Sequence, residues 1–370
     1  MAKRRLQQLT ELGQSVWIDS LSREMLESGE LERLIGEDSV SGVTSNPTIF
    51  QKALAEGDWY DSELRELASL DKTSEIFFRL AENDVRQACD ILRPIHEKTG
   101  GIDGYVSLEV DPTLAYDSES TYTQTLRLHS EVDRPNLYVK IPATRPGLPA
   151  IEDAIAAGHS VNITLIFSLQ RYTEVVDAYL RGLERRVAGA GDVSQINSVA
   201  SFFVSRVDSE ADKRLEAIGS PEALALRGKL AVANAKLAYR HYQEVFSSER
   251  WQYLVSKGAR AQRCLWASTS TKNPDYPDTL YVSELIGPDT VNTMPIETVR
   301  AFQDHGTAAV TLTQGVEEAK LLLEQIEAAG VSYDEVVDRL EAEGVQKFAD
   351  SFAALLNGIE TKLKKLEVSR

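Results

Sequence analysis

Lys140 is the one charge in the run Leu137-Tyr138-Val139-Lys140-Ile141-Pro142-Ala143-Thr144. A short run that is apolar on both faces reads as a strand of a parallel sheet covered by helices. Desolvation in such a place disfavours the ammonium form and lowers the lysine pKa. An uncharged amine is what attack on a carbonyl carbon requires, so the position suits a nucleophile that forms a Schiff base. The plain alternative is a lysine at a strand end with its head group in water. Two carboxylates stand in similar settings: Asp19 in Ser15-Val16-Trp17-Ile18-Asp19 and Glu109 in Tyr105-Val106-Ser107-Leu108-Glu109-Val110. An imine reaction needs proton donors and acceptors in different poses, and two carboxylates in unlike surroundings can divide that work. Asn46, Asn162, Thr164, Ser201 and Arg206 are further polar residues at or near the ends of apolar runs.

These residues act together only if the chain folds them onto one place. Hydrophobic patterning predicts eight short strands, at 15–19, 42–47, 105–110, 137–141, 161–165, 196–203, 263–267 and 290–294. Helices are predicted over 5–13, 21–36, 73–98, 117–131, from Pro149 to near Gly158, over 169–187, from Ser220-Pro221 to about 247, and after Pro295. In 73–98, Phe77, Leu80, Ala81, Ala88, Ile91, Leu92 and Ile95 share one face at a 3.6-residue period, and Gly100-Gly101 ends the pattern. Ser220 and Pro221 suit an N-cap and a first helical residue. Asn46-Pro47 ends the second strand, because a residue before proline avoids the α region. Residues 315–329, 333–342 and 345–364 read as C-terminal helices; Val345, Phe348, Phe352, Leu355, Leu356, Ile359 and Leu363 share one side of the last.

Eight strands alternating with helices is the pattern of an α/β parallel (β/α)8 TIM barrel, here with additional N- and C-terminal helices. In that fold the reactive groups stand at the C-terminal ends of the strands, so the residues named above would share one mouth. No low-complexity linker or charge block divides the chain. One barrel domain over residues 1–370 is expected, with 315–370 as C-terminal helices packed on it.

The 370 residues exceed the usual size of a single core, but α/β barrels with insertions reach that length. With 42% hydrophobic and 26% charged residues the composition is that of an ordinary soluble domain. A formal net charge of −17 argues against a nucleic-acid or anionic-membrane partner and leaves room for a local basic pocket. Cys89 and Cys264 are far apart and make no CxxC or zinc spacing, which points to a reducing, cytoplasmic compartment. His96, His129, His159, His241 and His305 are scattered and make no metal-ligand pattern. Neither a metal nor an organic cofactor is expected. Met1-Ala2-Lys3-Arg4-Arg5 is basic but no apolar core follows it, and no run is long enough to span a bilayer.

Six segments resemble the transaldolase family of Schiff-base aldolase-type transferases, in the family's order. They are Val16-Trp17-Ile18-Asp19-Ser20, Gly42-Val43-Thr44-Ser45-Asn46-Pro47, Val106-Ser107-Leu108-Glu109-Val110, Tyr138-Val139-Lys140-Ile141-Pro142-Ala143-Thr144, Val161-Asn162-Ile163-Thr164-Leu165 and Ser201-Phe202-Phe203-Val204-Ser205-Arg206. Val291-Asn292-Thr293-Met294-Pro295 extends the match, and the length resembles the longer bacterial type. The resemblance implies transfer of a dihydroxyacetone unit from sedoheptulose 7-phosphate to glyceraldehyde 3-phosphate, in the pentose phosphate pathway. It implies that Lys140 forms the imine, that Asp19 exchanges the substrate hydroxyl proton, and that Glu109 and Thr164 hold a catalytic water. It implies that Asn46, Asn162 and Ser201 bind the hydroxyls of the bound unit and that Arg206 binds the sugar phosphate. The chain departs from the family pattern in Ala267-Ser268-Thr269-Ser270-Thr271-Lys272. Ser268 matches the family's small serine, but a second phosphate-binding arginine is missing, leaving Lys272 or Arg145 as its replacement.

Each residue also has an ordinary reading. Asp19 and Glu109 would be satisfied strand-end carboxylates, Asn46 a turn residue, Ser201 and Thr164 packing hydroxyls, and Arg206 a partner of Asp208 or Glu210. Trp17, Trp266, Phe202, Phe203, His159 and Cys264 are assigned to packing. Three other functions compete: an aldolase that releases dihydroxyacetone to water, a pyridoxal-phosphate enzyme using Lys140, and a barrel that serves as a non-catalytic scaffold. Monomer and homodimer both remain open.

Overall fold

A computed structural model describes residues 4–368; Met1, Ala2, Lys3, Ser369 and Arg370 lie outside the described residues. Eight parallel strands among the described residues close into one ring in sequence order. They are β1 (Gln14–Asp19), β2 (Val40–Thr44), β3 (Val106–Glu109), β4 (Leu137–Pro142), β5 (Val161–Ile166), β6 (Ser198–Phe203), β7 (Arg263–Ala267) and β8 (Thr290–Met294). The ring closes where β8 pairs with β1, from Gln14↔Thr290 to Ile18↔Met294. Helices lie between the strands, so the fold is the expected (β/α)8 barrel with extra helices.

Every residue of β3 to β8 is buried, which is the burial that strands apolar on both faces require. The barrel interior is tight near its floor. Trp17 pairs in register with Gly42, and a Cβ added at Gly42 would sit 2.4 Å from the indole ring. Gly42→Ala should therefore destabilise the fold by about 1–3 kcal/mol, the usual effect of overpacking a filled core. The midpoint of denaturant unfolding measures this, and an unchanged midpoint would show that the Trp17 ring can move aside. Below it, Arg263 donates to Ser15 Oγ and to the Ile102 carbonyl, both at 2.8 Å, while Asp103 accepts from Trp17 Nε1 at 2.6 Å and from Ser41 Oγ at 2.8 Å. Arg263 and Asp103 are thus paired at the closed end, as their desolvation demands, while Gln14 Oε1 and Gln262 Oε1 are buried there without a hydrogen-bond partner among the described residues.

The helices differ from the sequence pattern at several places, each with a local cause. The predicted 21–36 helix is two, Arg23–Glu27 and Glu30–Asp38, because Gly29 takes a left-handed conformation (φ 77°) that turns the chain. Beyond β2, Asn46 caps a helix Pro47–Ala55, and Asp61–Leu67 follows. A helix Ser205–Ile218 directly after β6 was not predicted; its Val207, Ala211 and Leu215 are fully buried at four-residue spacing. The helix expected from Ser220 is one turn, Pro221–Leu224, and resumes as Leu230–Val245, with Glu249–Val255 after it.

The last helix is continuous over Tyr333–Val368, where a break was expected near 343. Gly344 does not stop it: a Cβ there would lie 3.1 Å from Leu165 Cδ2 and 3.3 Å from Phe167 Cε2, so the glycine admits close packing against the end of β5. Burial of Val336, Leu340, Val345, Phe348, Phe352, Leu355 and Ile359 outweighs the roughly 1 kcal/mol helix cost of one glycine. This helix crosses the C-terminal end of the barrel, touching the helices Pro47–Ala55, Thr73–Lys98 and Ser205–Ile218, the turn at Pro112–Leu114 and β5. Among the described residues no helix is long and apolar enough to cross a membrane.

Candidate active site

The C-terminal ends of the strands open into a cavity of about 530 Å³. Asp19, Asn46, Lys140, Ser201, Arg206, Ser268 and Lys272 line it, so seven of the ten residues singled out in the sequence meet there. Glu109, Asn162 and Thr164 stand in the strands behind that wall.

Parallel pairing positions the amine. Register between β3 and β4 sets Glu109 beside Lys140, and that between β4 and β5 sets Lys140 beside Asn162. Lys140 is only 5% exposed. Its Nζ lies 2.9 Å from Glu109 Oε1 and donates to the Ser45 carbonyl at 3.0 Å. Burial pushes the Glu109 carboxyl above its ordinary range; the Lys140 charge and hydrogen bond act against that rise, and Asp19 adds to it. Apart from the ion pair, neither Glu109 oxygen has a hydrogen-bond partner among the described residues.

Asp19 ends β1 at the cavity wall and accepts from Thr44 Oγ1 at 2.7 Å; Thr44 in turn lies 2.7 Å from Thr293 Oγ1. Burial raises the Asp19 pKa, opposed by the Lys140 charge, the Thr44 hydrogen bond, and the charges of Arg206 and Lys272. Two carboxylates therefore flank one amine in unlike settings: Glu109 in direct contact and shut away, Asp19 at the open side among hydroxyls and cations.

Asn162 does not face the cavity. Its Nδ2 donates to Ser107 Oγ at 3.0 Å and its Oδ1 accepts from Ser201 Oγ at 2.6 Å. It braces β3, β5 and β6, and Ser201 is the group presented to the cavity. The Thr164 hydroxyl is buried with no partner among the described residues. It precedes Leu165, whose φ of 61° accompanies a register shift against β6 between Ile163 and Ile166. Such irregularities re-aim side chains, and a buried leucine in the left-handed region costs about 1–3 kcal/mol. Ser268 at the end of β7 has the same strain, at φ 55°. It is held by Ser205, whose backbone N–H donates to the Ser268 carbonyl at 3.0 Å while the two hydroxyls lie 3.0 Å apart. Asn46 keeps its ordinary role as well, accepting from the Ile49 backbone N–H at 3.1 Å.

Arg206 sits in the first turn of Ser205–Ile218 with its guanidinium 5.1 Å over the Phe203 ring. Its expected acidic partners are occupied: Asp208 accepts from the Ala231 N–H and the Tyr281 hydroxyl, and Glu210 pairs with Arg214 and Arg339. Phe203 packs against Phe167, as expected, and also forms part of the cavity wall, whereas Phe202 packs against Tyr172 and Trp266. Lys272 lines the same opening and donates to Ser270 Oγ at 2.6 Å. Arg145 is exposed in the turn Arg145–Gly147 and does not line the cavity, so of the two cations considered for this place only Lys272 stands at the opening.

Lys52 and Lys347 complete the rim, and neither stood out in the sequence. Lys52 lies on the helix that Asn46 caps, just past a strand end. Lys347 comes from the crossing C-terminal helix, 53 positions beyond the last strand residue, Met294, and nothing in the local sequence marks it. Four cations thus converge on one mouth of a chain whose net charge is −17. An open groove of about 440 Å³ on the outer helices, lined by Val232, Leu280 and Leu322, contains no strand end and no such convergence.

Residues 16–359 match the family model described as Transaldolase/Fructose-6-phosphate aldolase. The chain belongs to that family. A relative named Transaldolase from Thermobifida fusca is 56% identical over 360 residues, covering 97% of this chain and 98% of its own. Transaldolase 2 of Streptomyces coelicolor is 52% identical over 367 residues, 99% of each chain. The Transaldolase of Mycobacterium bovis is 54% identical over 351 residues, 94% of each. The family resemblance carried by the six ordered segments is borne out across nearly the whole length. Membership places the chain among enzymes that transfer aldehyde or ketone units.

Proposed function

We propose that this chain is a transaldolase that carries a dihydroxyacetone unit on Lys140, in the pentose phosphate pathway of the cytoplasm. The observation that carries the reading is the buried amine 2.9 Å from Glu109 at the foot of a cavity rimmed by cations. In this reading the Lys140 amine attacks the C2 carbonyl of sedoheptulose 7-phosphate and water leaves as the imine forms. Glu109, its pKa raised by burial, takes and returns protons at the amine and the leaving oxygen. The Thr164 hydroxyl and the free lone pairs of Glu109 would hold the water these steps release and consume.

Carbon–carbon cleavage then needs a base at the C4 hydroxyl, and Asp19 fills that role. The C3–C4 bond breaks, the hydroxyl proton passes to Asp19, erythrose 4-phosphate departs, and the electron pair rests in the enamine. Attack of that enamine on the aldehyde carbon of glyceraldehyde 3-phosphate, with the proton returned by Asp19, and hydrolysis of the imine release fructose 6-phosphate. Ser201, held by Asn162, and Asn46 would bind the hydroxyls of the three-carbon unit, with Ser268 nearer the phosphate end.

Arg206 and Lys272 would receive the substrate phosphate. A guanidinium gives bidentate charge-assisted bonds and an ammonium a point charge. Arg206→Ala should raise KM for phosphorylated acceptors by about 10–100-fold, the worth of one charged hydrogen-bond pair, and change kcat less. Lys272→Ala should act in the same direction and more weakly, because its ammonium is exposed. Initial rates with glyceraldehyde 3-phosphate and with unphosphorylated glyceraldehyde test this; equal losses with both acceptors would refute a phosphate role.

The family description also contains fructose 6-phosphate aldolase, so a lyase that releases dihydroxyacetone is the second reading. Borohydride trapping with fructose 6-phosphate, read by mass spectrometry, tests the Schiff base common to both. A coupled assay with and without aldehyde acceptor separates them, since cleavage indifferent to acceptor supports the lyase.

A further inference from the structure

Opposite the cation-rimmed mouth, the N-terminal ends of the strands enclose a second polar basin of about 230 Å³. Tyr105, Leu137 and Ser160, at or just before the starts of β3, β4 and β5, line it, so it lies at the far end of the barrel from Lys140. Three of the chain's five histidines, His96, His129 and His159, meet there, with Arg260 beside them. The sequence scattered these histidines over three segments, and the fold collects them.

The basin is built around a guanidinium without a counter-charge. Arg260 is half-buried, and its side chain has no ion pair or hydrogen bond among the described residues. Gly101 (φ 78°) lets Arg260 and His96 approach the backbone closely: a Cβ there would lie 2.8 Å from Arg260 Nη1 and 3.4 Å from His96 Nε2, so both groups flank one point. His159 stacks on His129 with ring centroids 4.5 Å apart, and His129 is fixed by its Nε2 contact, 3.0 Å from the Ser160 carbonyl. The other charged groups nearby are mostly cationic or satisfied. Arg93, Arg260 and Glu97 act on His96, and Arg186 acts on His159. Arg134 is already held by Asp90 through two bonds. Burial and the adjacent arginines keep His96 and His159 below the ordinary imidazole range. Neutral imidazoles can donate from one ring nitrogen, and a bound anion would favour their charged form.

We propose that this basin binds a small phosphate dianion, with Arg260 as its principal ligand and His96 and His159 as donors beside it. A guanidinium fork with nearby imidazoles is the donor set that a tetrahedral oxyanion takes, and the enclosed, field-focusing position offsets the chain's overall negative charge. The proposal is independent of the transferase reading, because no group at the mouth takes part in it.

The test uses the intact chain with isotope-labelled histidines, titrated with inorganic phosphate and followed by the ring resonances. His96 and His159 should shift saturably, while His241 and His305, outside the basin, stay in place. Chloride at matched ionic strength should move neither reporter. Arg260→Gln should weaken the response at least about tenfold, the loss of one charge-assisted pair, with melting temperature and turnover unchanged. Phosphate that leaves His96 and His159 unmoved, chloride that moves them equally, or an undiminished response in Arg260→Gln would overturn the proposal. The chloride comparison decides the matter in the wild type alone if the variant fails to fold.

Discussion

Lys140→Met is expected to lose turnover by about 10⁴-fold or more, as removal of a covalent nucleophile does. It should also fail to take up the three-carbon unit under borohydride. Methionine keeps the length and apolar stem of the side chain, so the barrel should persist. The substitution nevertheless removes the counter-charge of Glu109, whose oxygens have no other partner among the described residues. A carboxyl whose folded-state pKa lies above its unfolded value binds its proton more tightly in the folded chain. It therefore contributes stability at low pH that is lost as pH rises through the folded value. Burial already places Glu109 in that class, and Lys140 restrains it. The melting-temperature gap between wild type and Lys140→Met should therefore widen as pH rises. Mass spectrometry of the trapped protein and thermal unfolding at several pH values check both arms. A Lys140→Met chain with normal turnover would falsify the assignment outright.

Asp19→Asn should lower kcat by about 10²–10⁴-fold, the usual worth of a positioned general base. Asparagine can still accept from Thr44 at the same oxygen, so the hydroxyl chain through Thr293 survives. Unlike Lys140→Met, this variant should still form the borohydride adduct, because the imine closes before the carbon–carbon bond breaks. The same residue sets the pH response. The base must be ionised, and burial raises its pKa, so wild-type activity should decline on the acid side above the ordinary carboxylate range. That limb should be absent from the residual activity of Asp19→Asn. Rates measured across pH with saturating substrate decide it; an acid limb that survives in Asp19→Asn would move the base role to Glu109.

Much of this architecture was legible because burial on both faces leaves little freedom in a strand's composition. Polar residues in β1, β3 and β4 were conspicuous against their apolar neighbours, which is why Asp19, Glu109 and Lys140 could be picked out. The mouth was legible on the strands and on the residues that follow them closely, as at Asn46, Arg206, Ser268 and Lys272. Lys347 reaches the mouth through a crossing of the fold, and no local pattern encodes that. Asn162 shows the converse: its position on β5 was right, but two hydrogen bonds turn it into a brace for Ser201. The Ser205–Ile218 helix was masked by its charged residues, although its buried Val207, Ala211 and Leu215 carried the spacing. At Gly344 tertiary burial overrode a local helix breaker, as it often does when propensity differences are near 1 kcal/mol.

The order in which the ribosome delivers these parts has a consequence for unfinished copies. The ring of strands is complete at Met294, long before Tyr333–Val368 has been made. Phe352 of that helix covers Phe77 and Phe78, and Phe77 also packs against Phe50. A polypeptide halted in between would hold Lys140 in its ring of strands but lack Lys347, and the faces of Phe77 and Phe78 that Phe352 covers would be open. Exposed rings of this kind attract chaperones and proteases. Defective products of translation would thus be marked for removal by the same surface that the helix Tyr333–Val368 conceals.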